Sequence, residues 1–450
     1  MKLIYGVKDK PKFGQLLIFA LQQLLAIMTA TLVVPVIIGN GMSPAAALVG
    51  AGVGTLFYVL CTKAKSPVFL GSSFAFINSM FVAFAGGVSM SLGYLGLIMG
   101  ALFAGLIYVI IAIIVKFAGV KWINKLMPAA VIGPTVAIIG LSLAGNAIGD
   151  LTKGSVPGVE AMPIIAVICG LTTLIITICC SVYGKKMGKL IPFIFGILGG
   201  YAVSLAFTLV GNAMNIDAIK ILNLEPIYAL YADGITLSTF FSIPDFTFAT
   251  AFKGFGELDA AYISTIAVAY IPVAFVVFAE HIADHKNISS IIETDLLEEP
   301  GLHRTLLGDG IGSFLGSIFG GCPNTTYGES VGCVAITKNA SIYTIITAAV
   351  MAIIIAFISP FIAFVNSIPS CVMGGVCVAL YGFIAVSGLK MIQSVNLNLN
   401  KNLFVVSTIL IAGIGGLSLT FGKVTITSVA CALILGIIVN IIVSKASDQE

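Results

Sequence analysis

Three acidic residues, Glu280, Asp284 and Glu329, lie inside strongly apolar surroundings, and a fourth, Asp309, lies close to the inner end of another apolar run. A carboxylate near the centre of a bilayer costs at least about 2.5–3.5 kcal/mol on insertion scales, so such groups tend to be functional and to face the protein interior. Glu280 and Asp284 belong to Phe278-Ala-Glu-His-Ile-Ala-Asp-His285. Their i, i+4 spacing places both on one helix face, about one turn apart. Two carboxylates so close in a low dielectric do not both stay ionised easily, so at least one is expected to take up and release a proton near neutral pH. Asp284 has an alternative reading as the marker of a helix end, since Lys286 follows it. His281 is either a proton relay or a structural hydrogen-bond partner, His285 is expected at the membrane boundary, and His303 falls in a charged loop.

Glu329 stands in Gly320-Gly-Cys-Pro-Asn-Thr-Thr-Tyr-Gly-Glu-Ser-Val-Gly332. Pro, Asn and Gly interrupt a helix here, and Thr-Thr-Tyr favours extended backbone. Non-helical backbone at membrane depth is tolerated only where protein buries it or where it lines a cavity. A short helix starting after Tyr327 would aim free N–H groups at whatever binds there. Gly71-Ser-Ser-Phe74 offers a counterpart in the first half of the chain. Two broken helices, one per half, point to a substrate site at the midplane; a pair of surface turns is the alternative.

The elements that must position these groups are membrane spans. Of 450 residues, 59% are apolar and 9% charged, against roughly 25% charged in a soluble domain. Apolar runs long enough to span a bilayer recur, as in Gln15–Gly39, Leu92–Val115 and Leu403–Phe421. About fourteen spans are expected, near 15–39, 44–62, 67–84, 92–115, 122–145, 161–182, 189–211, 258–285, 304–320, 326–337, 341–365, 367–389, 402–421 and 424–444. With a cytoplasmic N-terminus, 18 of the 22 basic residues face inward and only Lys153, Lys220, Lys253 and Lys423 outward. The net charge of +3 is then a topology signal and no hint of nucleic acid. The first run is too long for a signal-peptide core and is expected to be the first span. The cysteines form no CxxC pair, so neither a disulfide framework nor a metal site is expected. Residues 212–257 should form an outward segment of short interfacial pieces, and Lys286–Arg304 a charged inward loop.

A faint repeat sets Pro128-Ala-Ala-Val131-Ile-Gly133 against Pro369-Ser-Cys-Val372-Met-Gly374, with seven spans between them. An odd number of crossings would invert the second copy, although six residues also match by coincidence. The fold class expected is therefore an all-α polytopic membrane protein with short extended stretches in the broken third and tenth spans. An intramembrane enzyme would need a nucleophile–base pair or a metal cluster, and neither is evident. An anion exchanger or channel would be expected to place cations at the midplane, and no intramembrane Lys or Arg supplies them.

Gly71-Ser-Ser-Phe-Ala-Phe76, Ala279-Glu-His281, Pro300-Gly-Leu-His-Arg304 and Pro323-Asn-Thr-Thr-Tyr-Gly-Glu329 resemble the nucleobase–ascorbate transporters (nucleobase–cation symporter-2), most closely the bacterial uracil permeases, over nearly the whole chain. The family signature after that Glu, Asn-x-Gly-x4-Thr-Arg/Lys, reads here as Ser330-x-Gly332-x4-Thr337-Lys338, with Ser for Asn. The family's Gln-His pair in the first span reads Gln22-Gln23, and Asp284 stands where uracil permeases often have His and purine members commonly have Asp. Purine-preferring relatives tend to have Gln in place of Glu329.

The resemblance implies two inverted seven-span repeats, a homodimer in a cell membrane with cytoplasmic termini, and proton symport of a nucleobase without a cofactor. It divides the chain into a cytoplasmic N-terminus (1–14), core-domain halves (15–118 and 258–366), gate-domain halves (119–257, including the outward segment, and 367–445) and a tail (446–450). Carried over position by position, Glu280 and Glu329 hold the base. Backbone N–H groups of Phe74 and Gly328 reach its carbonyls, with Ala30 and Tyr327 packing nearby; Asp284, Glu280, Glu329 and His281 are the proton-coupling candidates. Uracil suits such a site, being neutral and planar with two ring N–H donors and two carbonyl acceptors. A xanthine or other purine symporter is the same-family alternative.

Overall fold

In a computed structural model of the chain, residues 3–444 are described apart from 120, 186, 233, 422 and 423, so the tail at 446–450 lies outside the described residues. Helices of seven or more residues are numbered here. The first half holds α1 (Phe13–Ile38), α2 (Pro44–Cys61), strand β1 (Leu70–Ser72), α3 (Ile77–Ala83), α4 (Met90–Ala118), α5 (Ala129–Ser142), α6 (Ala144–Leu151), α7 (Pro163–Tyr183) and α8 (Pro192–Met214). The second half holds α9 (Ala260–Ile292), α10 (Leu302–Gly320), strand β2 (Asn324–Thr326), α11 (Gly328–Thr337), α12 (Ile342–Ile355), α13 (Ser359–Ser367), α14 (Ser370–Ile392), α15 (Asn400–Ile414), the pair β3 (Leu419–Phe421) and β4 (Val424–Ile426), and α16 (Ser428–Val443).

Eight helical stretches among the described residues are long and apolar enough to cross a membrane, and four more are shorter apolar helices. Large apolar side chains such as Ile113, Ile175 and Ile442 are exposed, which is the expected outer surface of a chain whose solvent is lipid. The segment between α8 and α9 consists of short helical turns. One expectation needs correction at its end: α9 continues through Lys286 to Ile292, so the charged loop begins later than the apolar pattern suggested. Its N-terminus is fixed by Asp259, whose Oδ1 accepts from the Tyr262 N–H at 2.6 Å.

Helices α1–α4 pack with α9–α13, and α5–α8 pack with α14–α16. Within the first group, backbones approach closely through glycine. A Cβ at Gly50 would lie 2.6 Å from the Gly316 carbonyl oxygen, and one at Gly105 2.8 Å from that of Gly310, so α10 can sit against α2 and α4 only because these side chains are absent. In the second group the two Pro-led helices of the sequence repeat meet. Pro128 precedes α5 and Pro369 precedes α14, and Gly133 of α5 faces Gly388 and Ile392 of α14. The two groups meet along α9, which also touches α5 and α16.

The two broken spans cross each other. Strands β1 and β2 pair antiparallel with Leu70 opposite Thr326, Gly71 opposite Thr325 and Ser72 opposite Asn324. Their remaining backbone groups are served from the sides: Leu70 N–H donates to Thr55 Oγ1 at 2.9 Å, and Ser73 N–H to the Pro323 carbonyl at 2.9 Å. The Asn324 side chain is pinned by its Nδ2 donating to the Gly50 carbonyl at 2.8 Å. A three-residue strand pair is marginal alone; here surrounding helices supply the missing partners.

Candidate functional site

Each broken span resumes as helix just past the strand pair. In the first half a 3-10 turn, Phe74–Phe76, leads into α3; in the second, Tyr327 is the N-cap and Gly328 opens α11. Because the strands are antiparallel, the two helix starts stand at opposite ends of the pair, each with N–H groups that lack partners within its own helix. Tyr327 is buried, and its hydroxyl donates to the Ser72 carbonyl at 2.6 Å, tying the second helix start to the first strand. Gly71 makes this possible, because a Cβ there would collide with the Tyr327 ring.

In front of these helix starts lies a cavity of about 350 Å³, within the range of small-molecule sites. One wall consists of Ser73–Ala75, Thr325–Glu329 and the α9 face carrying Glu280, Asp284 and Asn287; the other is Val136 and Ile139 of α5 with Leu380–Met391 of α14. The cavity thus lies between the two helix groups. Phe74 also meets Tyr381 of α14 edge to face, with ring centroids 6.0 Å apart. The apolar far wall suits the faces of a flat ring, while the polar near wall supplies hydrogen-bonding groups.

Glu280 and Glu329 are half-buried and line this cavity. The Glu280 carboxylate meets no hydrogen-bond donor among the described residues, and the acidic groups of Glu329 and Asp309 are its charged neighbours. Asp284 is buried, also lines the cavity, and its Oδ2 accepts from Thr326 Oγ1 at 2.9 Å. Its Oδ1 lies close to Gly328, at the start of α11. Asp284 is therefore eight residues inside α9 and does not mark the helix end. Five of the expected site positions line the cavity together with it: Glu280, Glu329, Phe74, Tyr327 and Gly328.

Ala30 and His281 do not. Ala30 belongs to an apolar cluster with Phe69 and Tyr327, behind the cavity wall. His281 is wholly buried on the rear of α9, with Nδ1 2.8 Å from Asp309 Oδ2 and Nε2 2.9 Å from Thr305 Oγ1. Thr305 gives its hydroxyl proton to the Leu302 carbonyl at 3.1 Å, so its oxygen accepts from Nε2–H. His285 was expected at the membrane boundary and is instead fully buried. Its Nδ1–H donates to the His281 carbonyl at 2.7 Å, and Nε2 accepts from the Tyr58 hydroxyl at 2.6 Å. Tyr58 on α2 is far away in sequence, which is why a position near the end of the apolar run misled.

Sequence reasoning did not single out Asn287, although Glu280, Asp284 and Asn287 follow an i, i+4, i+7 face. Nor did it find the α5 and α14 wall, whose residues are mostly apolar and differ in no way from lipid-facing ones when read alone. Among the described residues no group of acidic, His and Cys side chains could hold a metal, and the cysteines are free.

The sequence pattern of the Permease family (Xan_ur_permease) matches residues 14–422. The uracil permease of Bacillus subtilis is 36% identical over 455 residues, covering 100% of this chain and 97% of that protein. The uracil permease of Escherichia coli K12 is 35% identical, covering 97% of this chain and 93% of that protein. Among solved structures, the transmembrane domain of a cyanobacterial bicarbonate transporter, BicA, superposes with a TM-score of 0.64 at 14% identity, covering 97% of this chain and 99% of that one. Murine Slc26a9, an anion transporter, gives 0.64 at 10% identity, covering 97% of this chain and 69% of that one. At such low identity these two speak for the fold alone. A membrane-spanning chain with crossed half-helices and a cavity between two helix groups, matched end to end by these relatives, belongs to the Permease family and is a transporter, not an enzyme.

Proposed function

We propose that the chain is a proton-coupled uracil symporter that imports the base across the cell membrane by alternating access. The observation that carries this reading is the pairing of Glu280 and Glu329 on one cavity wall beside two half-helix starts. Uracil offers two ring N–H donors and two carbonyl acceptors in a plane. The two carboxylates accept from the N–H groups, and the backbone amides of Phe74 and Gly328 serve the carbonyls. Tyr327 packs against the ring, with Ala30 behind it. The names of the full-length relatives support uracil as cargo.

In this reading α1–α4 with α9–α13 form the core, and α5–α8 with α14–α16 form the gate that rocks against it. Asp284 carries the coupling proton together with Glu280 and Glu329, since three acids on one wall do not all ionise at low cost. His281 takes part through its fixed position behind Glu280. The transporter works as a homodimer with cytoplasmic termini and needs no cofactor beyond the proton.

The test is a competition panel in proteoliposomes. Labelled uracil uptake driven by an inward proton gradient is challenged with thymine, xanthine, hypoxanthine and ascorbate. Unlabelled uracil should compete best, and collapse of the gradient should stop accumulation. Xanthine competing better than uracil would assign the site to purines, and uptake indifferent to the gradient would remove the coupling.

A further inference from the structure

Two departures from the family pattern, Gln23 for His in the first span and Ser330 for Asn after Glu329, turn out to be one contact. Gln23 Nε2 on α1 donates to Ser330 Oγ in the first turn of α11. The same oxygen accepts from the Phe69 backbone N–H at 2.9 Å, one residue ahead of β1. Ser330 and Phe69 are wholly buried and Gln23 is 2% exposed, so water does not substitute for any of the three.

We propose that Ser330 is the positioning residue of the substrate site, a single hydroxyl that fixes both broken spans to α1 and is matched in this chain by Gln23. This rests on the uracil reading above. Ser330 does not line the cavity, so it acts through its neighbours. Glu329 precedes it directly, and Gly328 lies one residue further back. On the other side, Phe69 leads through three strand residues to the helix start at Phe74. Losing the hydroxyl frees two buried donors at once and lets the two helix starts shift relative to each other. Glutamine suits a small hydroxyl because its amide reaches further than the Ser side chain that must receive it.

The experiment is a double-mutant cycle read as uracil uptake and as amide hydrogen exchange without substrate. Ser330→Ala is expected to raise the half-saturating uracil concentration about 10-fold, with the maximal rate within about twofold. Gln23→Ala should raise it about threefold, and the double variant should be no worse than Ser330→Ala alone. Restoring the family pair, Gln23→His with Ser330→Asn, should perform better than either substitution singly. Exchange at the Phe69–Ser72 peptide should quicken in Ser330→Ala and stay unchanged in Gln23→Ala. Additive losses, a normal half-saturation in Ser330→Ala, or unaltered exchange there would overturn the proposal. If Ser330→Ala does not fold, Gln23→Ala and the paired swap still decide, since normal half-saturation in the first or no mutual rescue in the second overturns it. The exchange arm needs no cargo, so it separates failure of this proposal from failure of the uracil assignment.

Discussion

Glu280 and His281 are neighbours on α9 with opposite surroundings. Glu280 looks into the cavity and finds no donor among the described residues, whereas His281 has a partner on each ring nitrogen and its carbonyl accepts from His285. One helix thus carries on its front face an acid, Glu280, with no donor among the described residues, and a rear face of satisfied polar groups. Burying a polar group without a partner costs free energy that folding must offset elsewhere. The front face is therefore costly to keep unless something else completes it, and in the proposed reading a ligand with N–H donors is what completes it. The rear face is already complete except for Asp309 Oδ1, which has no partner among the described residues. It joins α9 to α10 and α2, and its value lies in holding the front face still.

The contrast is broken most directly at the front. Glu280→Gln and Glu329→Gln are each expected to lower uracil affinity about 100-fold, because a charge-assisted bond is lost and an amide donor meets a ring N–H. Equilibrium binding to purified protein measures this without requiring transport. Full affinity in the double variant would mean that these acids do not hold the base.

Asp284 stands between the two faces in character, since it lines the cavity yet already has Thr326 as a partner. Asp284→Asn should therefore leave uracil binding within about threefold and flatten the dependence of uptake on external pH. An unaltered pH profile would move the coupling proton elsewhere. On the rear face, Thr305→Val deprives His281 of its Nε2 acceptor and should destabilise the protein by about 1–3 kcal/mol. Uracil half-saturation should stay within about twofold, as thermal melting in detergent and uptake would show side by side. A large loss of affinity with unchanged melting would erase the difference between the faces.

The front face was legible in the sequence because membrane insertion makes an intramembrane acid conspicuous, and because Pro323-Asn-Thr-Thr-Tyr-Gly interrupts its helix visibly. Helix starts at Phe74 and Gly328 follow from the same breaks. The fold class followed from the apolar runs, whereas the Pro128 and Pro369 repeat did not foretell that the helices it opens meet at Gly133 and Gly388. The rear face was illegible for a physical reason. His285 meets Tyr58 across 227 residues, and away from that face Gln23 meets Ser330 across 307. No local periodicity reports contacts at such separations. The α14 wall was hidden too, since Leu380, Phe383 and Ile384 read like lipid-facing residues until a cavity is found beside them.

The smallest expected effect concerns a charged pair outside the spans. Lys65 contacts Glu299 in the loop before α10, with 34% and 65% of the two side chains exposed. The hydrogen bond and charge of Lys65 hold the Glu299 carboxyl below its ordinary range. For a depressed acid, the stabilisation is present above the unfolded pKa, near 4.3 for Glu, and fades as pH falls through the folded value. Around neutral pH it is constant, and exposed pairs contribute little in any case. Glu299→Gln should therefore leave uracil uptake and its pH profile unchanged at neutral pH, and only soften the loss of thermal stability in acid. This is the control on the whole contrast. An acid that already has its cation, in water, has nothing to offer a ligand, while Glu280 and Glu329 do. Uptake falling in Glu299→Gln as far as in Glu280→Gln would show that loss of a carboxylate anywhere disables the transporter, and the distinction between cavity-lining acids and an acid paired in water would lose its meaning.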